Sequence, residues 1–314
     1  MKQPVSGRRY GDREGRCVSD MGSDSDNGSA GGAGIRVAEG SGVCFGVRRA
    51  LRLAETALES GEAVYCLGPL IHNSQEMERL AGRGFRVIDA LSEVAGGGTL
   101  LIRSHGLQPA VVEAARRRGL GIVDATCPLV RRVQTLAVEL QKAGYRVIVA
   151  GDAPHPEVRA IRGHAPAAVV VQDVEAVRRL DLSGRVALVA QTTFSPEAFR
   201  DVAAALQDRR LQEVRVENTI CAATVERQRG AADLAEHVDV MFVIGGRNSA
   251  NTNRLTELCA ARGVPTYHVE VGGEVTEAML RHRPRVGVAA GASTPQWIID
   301  AVCERIKALQ SEQA

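Results

Sequence analysis

Aromatic side chains are scarce in this sequence, which has five Phe, four Tyr and one Trp in 314 residues. Single-stranded nucleic acid is bound on aromatic platforms, so that function has little support here. Net charge is equally slight, with 39 basic residues against 37 acidic ones, which removes the electrostatic case for a nucleic-acid or membrane partner. No apolar run approaches the roughly 20 residues needed to span a bilayer. The seven cysteines include no CxxC pair and no dense spacing, which argues against a secreted disulfide scaffold and for a reducing, cytoplasmic compartment. None of the phosphate-loop fingerprints occurs. The first 34 residues, rich in Gly, Ser, Asp and Arg, lack the apolar stretch of a signal peptide and read as a disordered tail.

What the chain does contain is a threefold repeat. Cys44, Cys127 and Cys221 are each followed 24 residues later by a glycine, Gly68, Gly151 and Gly245, and 28 residues later by a polar group, His72, His155 and Ser249. Two shared offsets divide the chain into three small units. Each unit can be traced from a short strand (35–39, 121–125, 213–217) through its Cys into a helix (47–60, 129–143, 224–237) with apolar residues at three- and four-residue intervals. A continuous apolar strand follows, from 63, 146 and 240. Such runs flanked by helices predict an α/β fold with parallel sheets covered on both faces.

Each unit closes with an apolar strand ending in small polar residues: Ser104-His105-Gly106, Gln191-Thr192-Thr193 and Ala292-Ser293-Thr294. Ligands in open α/β sheets bind beyond the carboxyl ends of the strands. Three such edges facing one another would enclose a site built from all three units. Cys44, Cys127 and Cys221 sit at strand-to-helix junctions, where a helix N-terminus favours a thiolate. Three converging thiolates suit zinc or an iron–sulfur cluster, and leave one coordination position open. Cys66, Cys259 and Cys303 read as buried small hydrophobes. His72, His105, His155, Thr192, Ser249, Asn251 and Ser293 form a neutral-to-cationic donor set suited to an anion such as a phosphate. Glu157 is the one carboxylate among them. In an enclosed cavity its pKa should rise, making it a proton donor. Arg116, Arg117 and Arg118 read as a solvated helix face, and the sequence shows no basic or aromatic recognition patch.

The segments VCFGV from 43, LGPLIHN from 67, RSHGL from 103, DATCPLV from 124, HPEV from 155, AQTT from 190, TICAAT from 219, NSANTNRL from 248 and AGAS from 290, taken in order, resemble the 4-hydroxy-3-methylbut-2-enyl diphosphate reductases. The resemblance runs from about Ile35 to Ile306. It implies three α/β domains in a pseudo-threefold trefoil: 46–127, 128–218, and 35–45 with 219–314. It also implies a central [4Fe-4S] cluster on Cys44, Cys127 and Cys221, one per chain. The implied reaction is a two-electron, two-proton loss of water from the substrate, giving isopentenyl and dimethylallyl diphosphates at the last step of the non-mevalonate pathway. By position, His72, His105, Ser249, Asn251 and Ser293 match the diphosphate-binding residues. His155, Thr192 and Glu157 match the group at the hydroxyl end, Glu157 being the proton donor. The implied electron donor is a ferredoxin or flavodoxin.

Three positions depart from the family pattern. Ala250 stands where many members carry a second Ser, a hydroxyl that Thr252 could replace, Ala160 replaces a frequent Gly, and Gln134 a frequent His. Two rivals share the three-Cys plan: a quinolinate synthase, whose substrates carry carboxylates, and a non-enzymatic cluster-bearing sensor.

Overall fold

The structure is a computed structural model that describes residues 34–312, so the tail expected at the N-terminus lies, but for Gly34, outside the described residues. Three four-stranded parallel sheets form the frame. After β1 (Gly34–Val37), the first unit runs α1 (Phe45–Glu59), β2 (Val64–Leu67), α2 (Ser74–Ala81), β3 (Phe85–Ile88), β4 (Thr99–Ile102), α3 (Pro109–Arg117) and β5 (Gly121–Asp124). The second runs α4 (Pro128–Lys142), β6 (Arg146–Ala150), α5 (Pro156–His164), β7 (Val169–Val171), α6 (Val174–Arg179), β8 (Arg185–Ala190), α7 (Pro196–Gln207) and β9 (Glu213–Val216). The third runs α8 (Ala222–Ala235), β10 (Val240–Ile244), α9 (Ala250–Ala260), β11 (Thr266–Val269), α10 (Glu277–Leu280), β12 (Arg285–Ala290) and α11 (Gln296–Glu312).

The strand orders are β3-β2-β4-β5, β7-β6-β8-β9 and β11-β10-β12-β1. These are one order used three times. The short strand ahead of each Cys therefore completes the preceding sheet, and β1 closes the third sheet against β12. The chain leaves one sheet through each Cys and enters the next unit as a helix.

Buried strands hold the units together in the way their sequences predict. Along β10, Val240, Phe242 and Ile244 pack to one face while Met241 and Val243 pack to the other, all fully buried. β6 divides likewise, with Val147 and Val149 opposite Ile148 and Ala150. Successive strand side chains point to opposite faces, so an unbroken apolar run is what a sheet covered on both sides requires. Each fully buried Val, Leu, Ile or Phe contributes on the order of 1.5–3 kcal/mol. With so few aromatics, the cores are built from many such increments.

The glycines 24 residues beyond each Cys occupy one structural position. Gly68, Gly151 and Gly245 each donate their backbone N–H to the end of the neighbouring strand, at Ile88, Val171 and Val269. Gly68 has φ +73°, a conformation that favours glycine, and a Cβ at Gly151 would lie 2.9 Å from Val158. The chain must turn sharply there for the next helix to start beside the sheet edge.

Candidate active site

Each of the three cysteines is the N-cap of a helix: Cys44 of α1, Cys127 of α4 and Cys221 of α8. The helices begin one or two residues earlier than apolar periodicity suggests, because their opening residues Phe45, Pro128 and Ala222 are exposed and extend no apolar stripe. The three caps are tied down identically. The backbone N–H of Cys44 donates to Ala292 O at 3.1 Å, that of Cys127 to Ser104 O at 2.9 Å, and that of Cys221 to Thr192 O at 2.9 Å. Every Cys thus hangs from the loop at the carboxyl end of the neighbouring sheet's central strand. These bonds also fix the equivalence of those loops. Ser104, Thr192 and Ala292 correspond, so Thr193, not Thr192, is the counterpart of His105 and Ser293. The second strand's closing triplet reads one residue out of step in the sequence.

A similar offset affects the other repeated position. His155 and Ser249 are N-caps of α5 and α9, accepting from Glu157 N and Thr252 N, but in the first unit that role falls to Asn73, which accepts from Glu76 N. His72 stands one residue before its cap. The His72 ring lies beside those of His105 and His155.

All eleven residues singled out from the sequence line one central cavity of about 120 Å³: Cys44, His72, His105, Cys127, His155, Glu157, Thr192, Cys221, Ser249, Asn251 and Ser293. Across units, Ser293 Oγ donates to His72 O at 3.1 Å; within the first unit Arg49 donates to Thr126 O and Asp124 O, and within the third Arg227 donates to Gly42 O at 3.0 Å. At Gly46 the fit is close enough that a Cβ would lie 2.6 Å from Cys127 Sγ.

The histidines cluster, with ring centroids 4.9 Å apart for His72 and His105, 5.3 Å for His105 and His155, and 6.2 Å for His72 and His155. Burial holds all three below the usual histidine range, His155 down to about 4, and the Arg103 guanidinium adds to this. They are neutral at pH 7. His155 Nδ1 accepts from Glu157 N–H at 3.2 Å, which leaves Nε2 as a donor. His72 Nε2, His105 Nδ1 and both side-chain polar atoms of Asn251 are buried and have no partner among the described residues. Buried polar groups are normally satisfied, so this set suits a polar ligand.

Glu157 is 1% exposed, and burial pushes its carboxyl up to about 7 against two bonds that pull it down. Thr192 supplies both, its N–H donating to Oε1 at 2.7 Å and its hydroxyl to Oε2 at 2.8 Å. The rise expected from the sequence is present, and desolvation alone produces it.

The expectation of helix-stabilised thiolates needs correction at Cys127. The N–H groups of Leu129 and Val130 lower its pKa, but burial and the neighbouring Cys44 and Cys221 raise it further. Desolvation and mutual repulsion outweigh the helix N-terminus. Among the described residues, only the three histidines have ligand atoms all within 4.8 Å of one another. Cys44, Cys127 and Cys221 all line the same cavity as these histidines. Arg227, unremarked in the sequence, is 4% exposed, lines the cavity and is felt electrostatically by Cys44 and Cys221. Ser104 and Thr224 also line the cavity. Cys66 and Cys259 lie wholly in the cores, their thiols pushed up to about 12 and about 11 by burial.

Of the departures, Ala250 lines the cavity without a hydroxyl. Thr252 does not replace it: its side chain is fully buried, close against Gly245 and Gly291 at the strand ends. Gln134 is buried beneath Gly106 with its Nε2 unpartnered among the described residues, and Ala160 lies in the core.

A profile of the LytB protein family matches residues 35–307. A 4-hydroxy-3-methylbut-2-enyl diphosphate reductase of Citrifermentans bemidjiense is 46% identical over 280 residues, covering 89% of this chain and 99% of that protein. One of Alkaliphilus oremlandii is 40% identical, covering 88% and 99%. A solved structure of (E)-4-hydroxy-3-methyl-but-2-enyl diphosphate reductase, described as the terminal enzyme of the non-mevalonate pathway, aligns at 42% identity and TM-score 0.68 over 88% of this chain and 99% of the other. The corresponding reductase of Plasmodium falciparum aligns at 25% identity and TM-score 0.82, covering 89% and 88%. With a family match across nearly all the described residues and relatives of this identity along their full length, the chain belongs to the LytB family of 4-hydroxy-3-methylbut-2-enyl diphosphate reductases.

Proposed function

We propose that this protein reduces 4-hydroxy-3-methylbut-2-enyl diphosphate, with two electrons and two protons, to isopentenyl and dimethylallyl diphosphates and water, as the terminal enzyme of the non-mevalonate pathway. The observation that carries this reading is the meeting, in one cavity, of three cysteine N-caps, a buried set of unpartnered donors and a carboxyl poised near neutrality. The buried Arg227 guanidinium beside Cys44 and Cys221 suits an anionic centre on the cysteines. Cys44, Cys127 and Cys221 would hold one [4Fe-4S] cluster. When bound, such a cluster supplies electrons and an open iron that acts as a Lewis acid toward the substrate hydroxyl.

The chain's own residues bind, orient and protonate. Neutral His72 and His105 donate hydrogen bonds to the diphosphate without carrying charge into the cavity. Asn251 offers both amide hydrogens. Ser249 Oγ accepts from Thr252 N–H at 3.3 Å, leaving its hydrogen free for a phosphate oxygen. Ser293 can redirect the hydrogen it gives to His72 O. Hydrogen bonds to a charged group are worth roughly 1.5–3 kcal/mol each, so several give firm binding even with Ala250 in place of a hydroxyl. At the other end, protonated Glu157 keeps the Thr192 N–H on Oε1 and turns the Oε2 bond around, donating to Thr192 Oγ. The Thr192 hydroxyl then points its own hydrogen into the cavity, beside the His155 Nε2–H. A proton held on Glu157 thus reaches the leaving oxygen through one hydroxyl.

Among the described residues, six cysteines are free and no helix is long and apolar enough to cross a membrane. A reducing cytoplasmic setting, with a ferredoxin or flavodoxin as electron donor, suits the reaction. The test is anaerobic purification followed by assay. A brown protein containing iron and sulfide, forming both products from the substrate with reduced methyl viologen, is the expected result. A colourless protein with a single zinc and no turnover would overturn the reading.

A further inference from the structure

The exterior beside the cysteine caps is not what a solvated helix face should look like. Phe45 is 71% exposed, Leu129 45% and Val225 41%. Exposed apolar residues scattered singly need no explanation. These three are not scattered. They occupy the first, second and fourth positions of α1, α4 and α8, so each lies within one helical turn of a cysteine lining the shared cavity. The first turn of α1 also packs directly on Cys127 Sγ, bringing Phe45 alongside the cap of the helix that carries Leu129.

The same stretches of helix carry exposed arginines. Arg48, Arg132 and Arg229 are exposed and form no ion pair among the described residues. Arg131 is exposed but paired with Asp124, and Glu226 is the exposed charge of opposite sign. The whole chain carries a net charge of only +2, so this basic excess is local. An apolar centre with a charged rim is the composition of a protein interface, and a basic rim selects an acidic partner.

We infer that this face docks a small acidic electron-carrier protein, which delivers electrons at the cysteine caps. The inference rests on the proposed reductase activity and adds where its reductant binds. Each reduced carrier gives up one electron and leaves oxidised, so two carriers must dock and depart in each turnover. That requires a short-lived, electrostatically steered encounter, not a tight complex. A rim of arginines around three apolar side chains provides this.

The test uses the cluster-loaded enzyme and compares two reductants, reduced ferredoxin as the acidic protein probe and reduced methyl viologen as a small donor that needs no docking surface. In a variant with Arg48→Glu, Arg132→Glu and Arg229→Glu, kcat/KM for ferredoxin should fall at least tenfold and lose its dependence on salt. Viologen-supported turnover should stay within twofold of wild type. Phe45→Ser, tested separately, should weaken ferredoxin turnover with the salt dependence retained. Leu129 lines the cavity and is left unchanged. Undiminished ferredoxin turnover in both variants would overturn the assignment. So would equal losses with both reductants, since these residues would then serve the cavity and not docking. Absence of viologen turnover in the wild-type enzyme would instead count against the reductase reading.

Discussion

Glu157 combines an ordinary position with an unusual environment. A glutamate in the first turn of a helix needs no functional explanation, and sequence alone cannot separate that role from catalysis. Its 1% exposure and its two bonds to Thr192 do. With its pKa at about 7, the proton is held below neutrality and lost above it. Turnover should therefore decline as pH rises through about 7, and a profile of kcat against pH should show that limb. Glu157→Gln keeps the shape but cannot give up a proton, so kcat should fall by roughly 10²–10⁴ with iron and sulfide content unchanged. Unaltered turnover would remove Glu157 from this role. The histidines govern stability in the opposite direction. Below about pH 6.5 an unfolded chain takes up protons on histidine, whereas folded His155 does so only near pH 4. Stability is lost across that window, about 3 kcal/mol from His155 alone, with His72 and His105 adding to it. Glu157 works the other way, since unfolded glutamate ionises near 4.5 and the buried one near 7, so acidification relieves its cost. His155 and Glu157 oppose each other by similar amounts, so the direction set by His72 and His105 decides. Denaturant melts of the loaded enzyme should show a net loss of stability from pH 6.5 to 4.5, and a flat response would mean that the imidazoles are solvated.

At the scale of elements, much of the plan can be read along the chain. Apolar runs at 63, 146 and 240 are β2, β6 and β10 at the centres of their sheets, and the offset of 24 residues marks one turn used three times. What the pattern hides is where helices begin and which loop residues are equivalent. Periodicity appears only once a helix buries a face, and the opening residues of α1, α4 and α8, Phe45, Pro128 and Ala222, are exposed. The cap shift from His72 to Asn73 is likewise invisible, because either residue type caps nothing until its backbone is placed. Gly46 shows how tightly these first turns are set. A methyl there would sit 2.6 Å from Cys127 Sγ, and both the helix backbone and the cap resist moving. Gly46→Ala should therefore displace Cys127 and lower bound iron, measured against protein, while far-ultraviolet circular dichroism stays unchanged because the sheets do not depend on this contact. Full iron content in that variant would show that α1 can withdraw without cost to the site.

For the molecule as a whole, the cavity belongs to no single unit. The sequence reveals its residues through the repeat, but not Arg227, a charged residue on the buried face of α8, nor the arginines and apolar side chains that three separate segments bring to one face. Those depend on how the units meet. Contacts between units include Ser293 to His72, Arg131 to Asp124, Gln108 to Arg159 and Arg254 to Glu197. The cores lie within the units, on either face of each sheet. A cluster bridging Cys44, Cys127 and Cys221 would therefore join three units with separate cores, and its binding energy would fall where they meet. Anything that binds the folded state alone stabilises it, but the gain need not spread evenly, because local opening follows local contacts. Removing iron anaerobically with a chelator should leave β2, β6 and β10 as protected from hydrogen exchange as before. The amides of Cys44, Cys127 and Cys221, each donating to the loop that ends the adjacent strand, should exchange at least about tenfold faster, the equivalent of 1.4 kcal/mol of local stabilisation. Uniform loss of protection would mean that the cluster supports the sheets themselves, and no change would mean that the three caps are held without it.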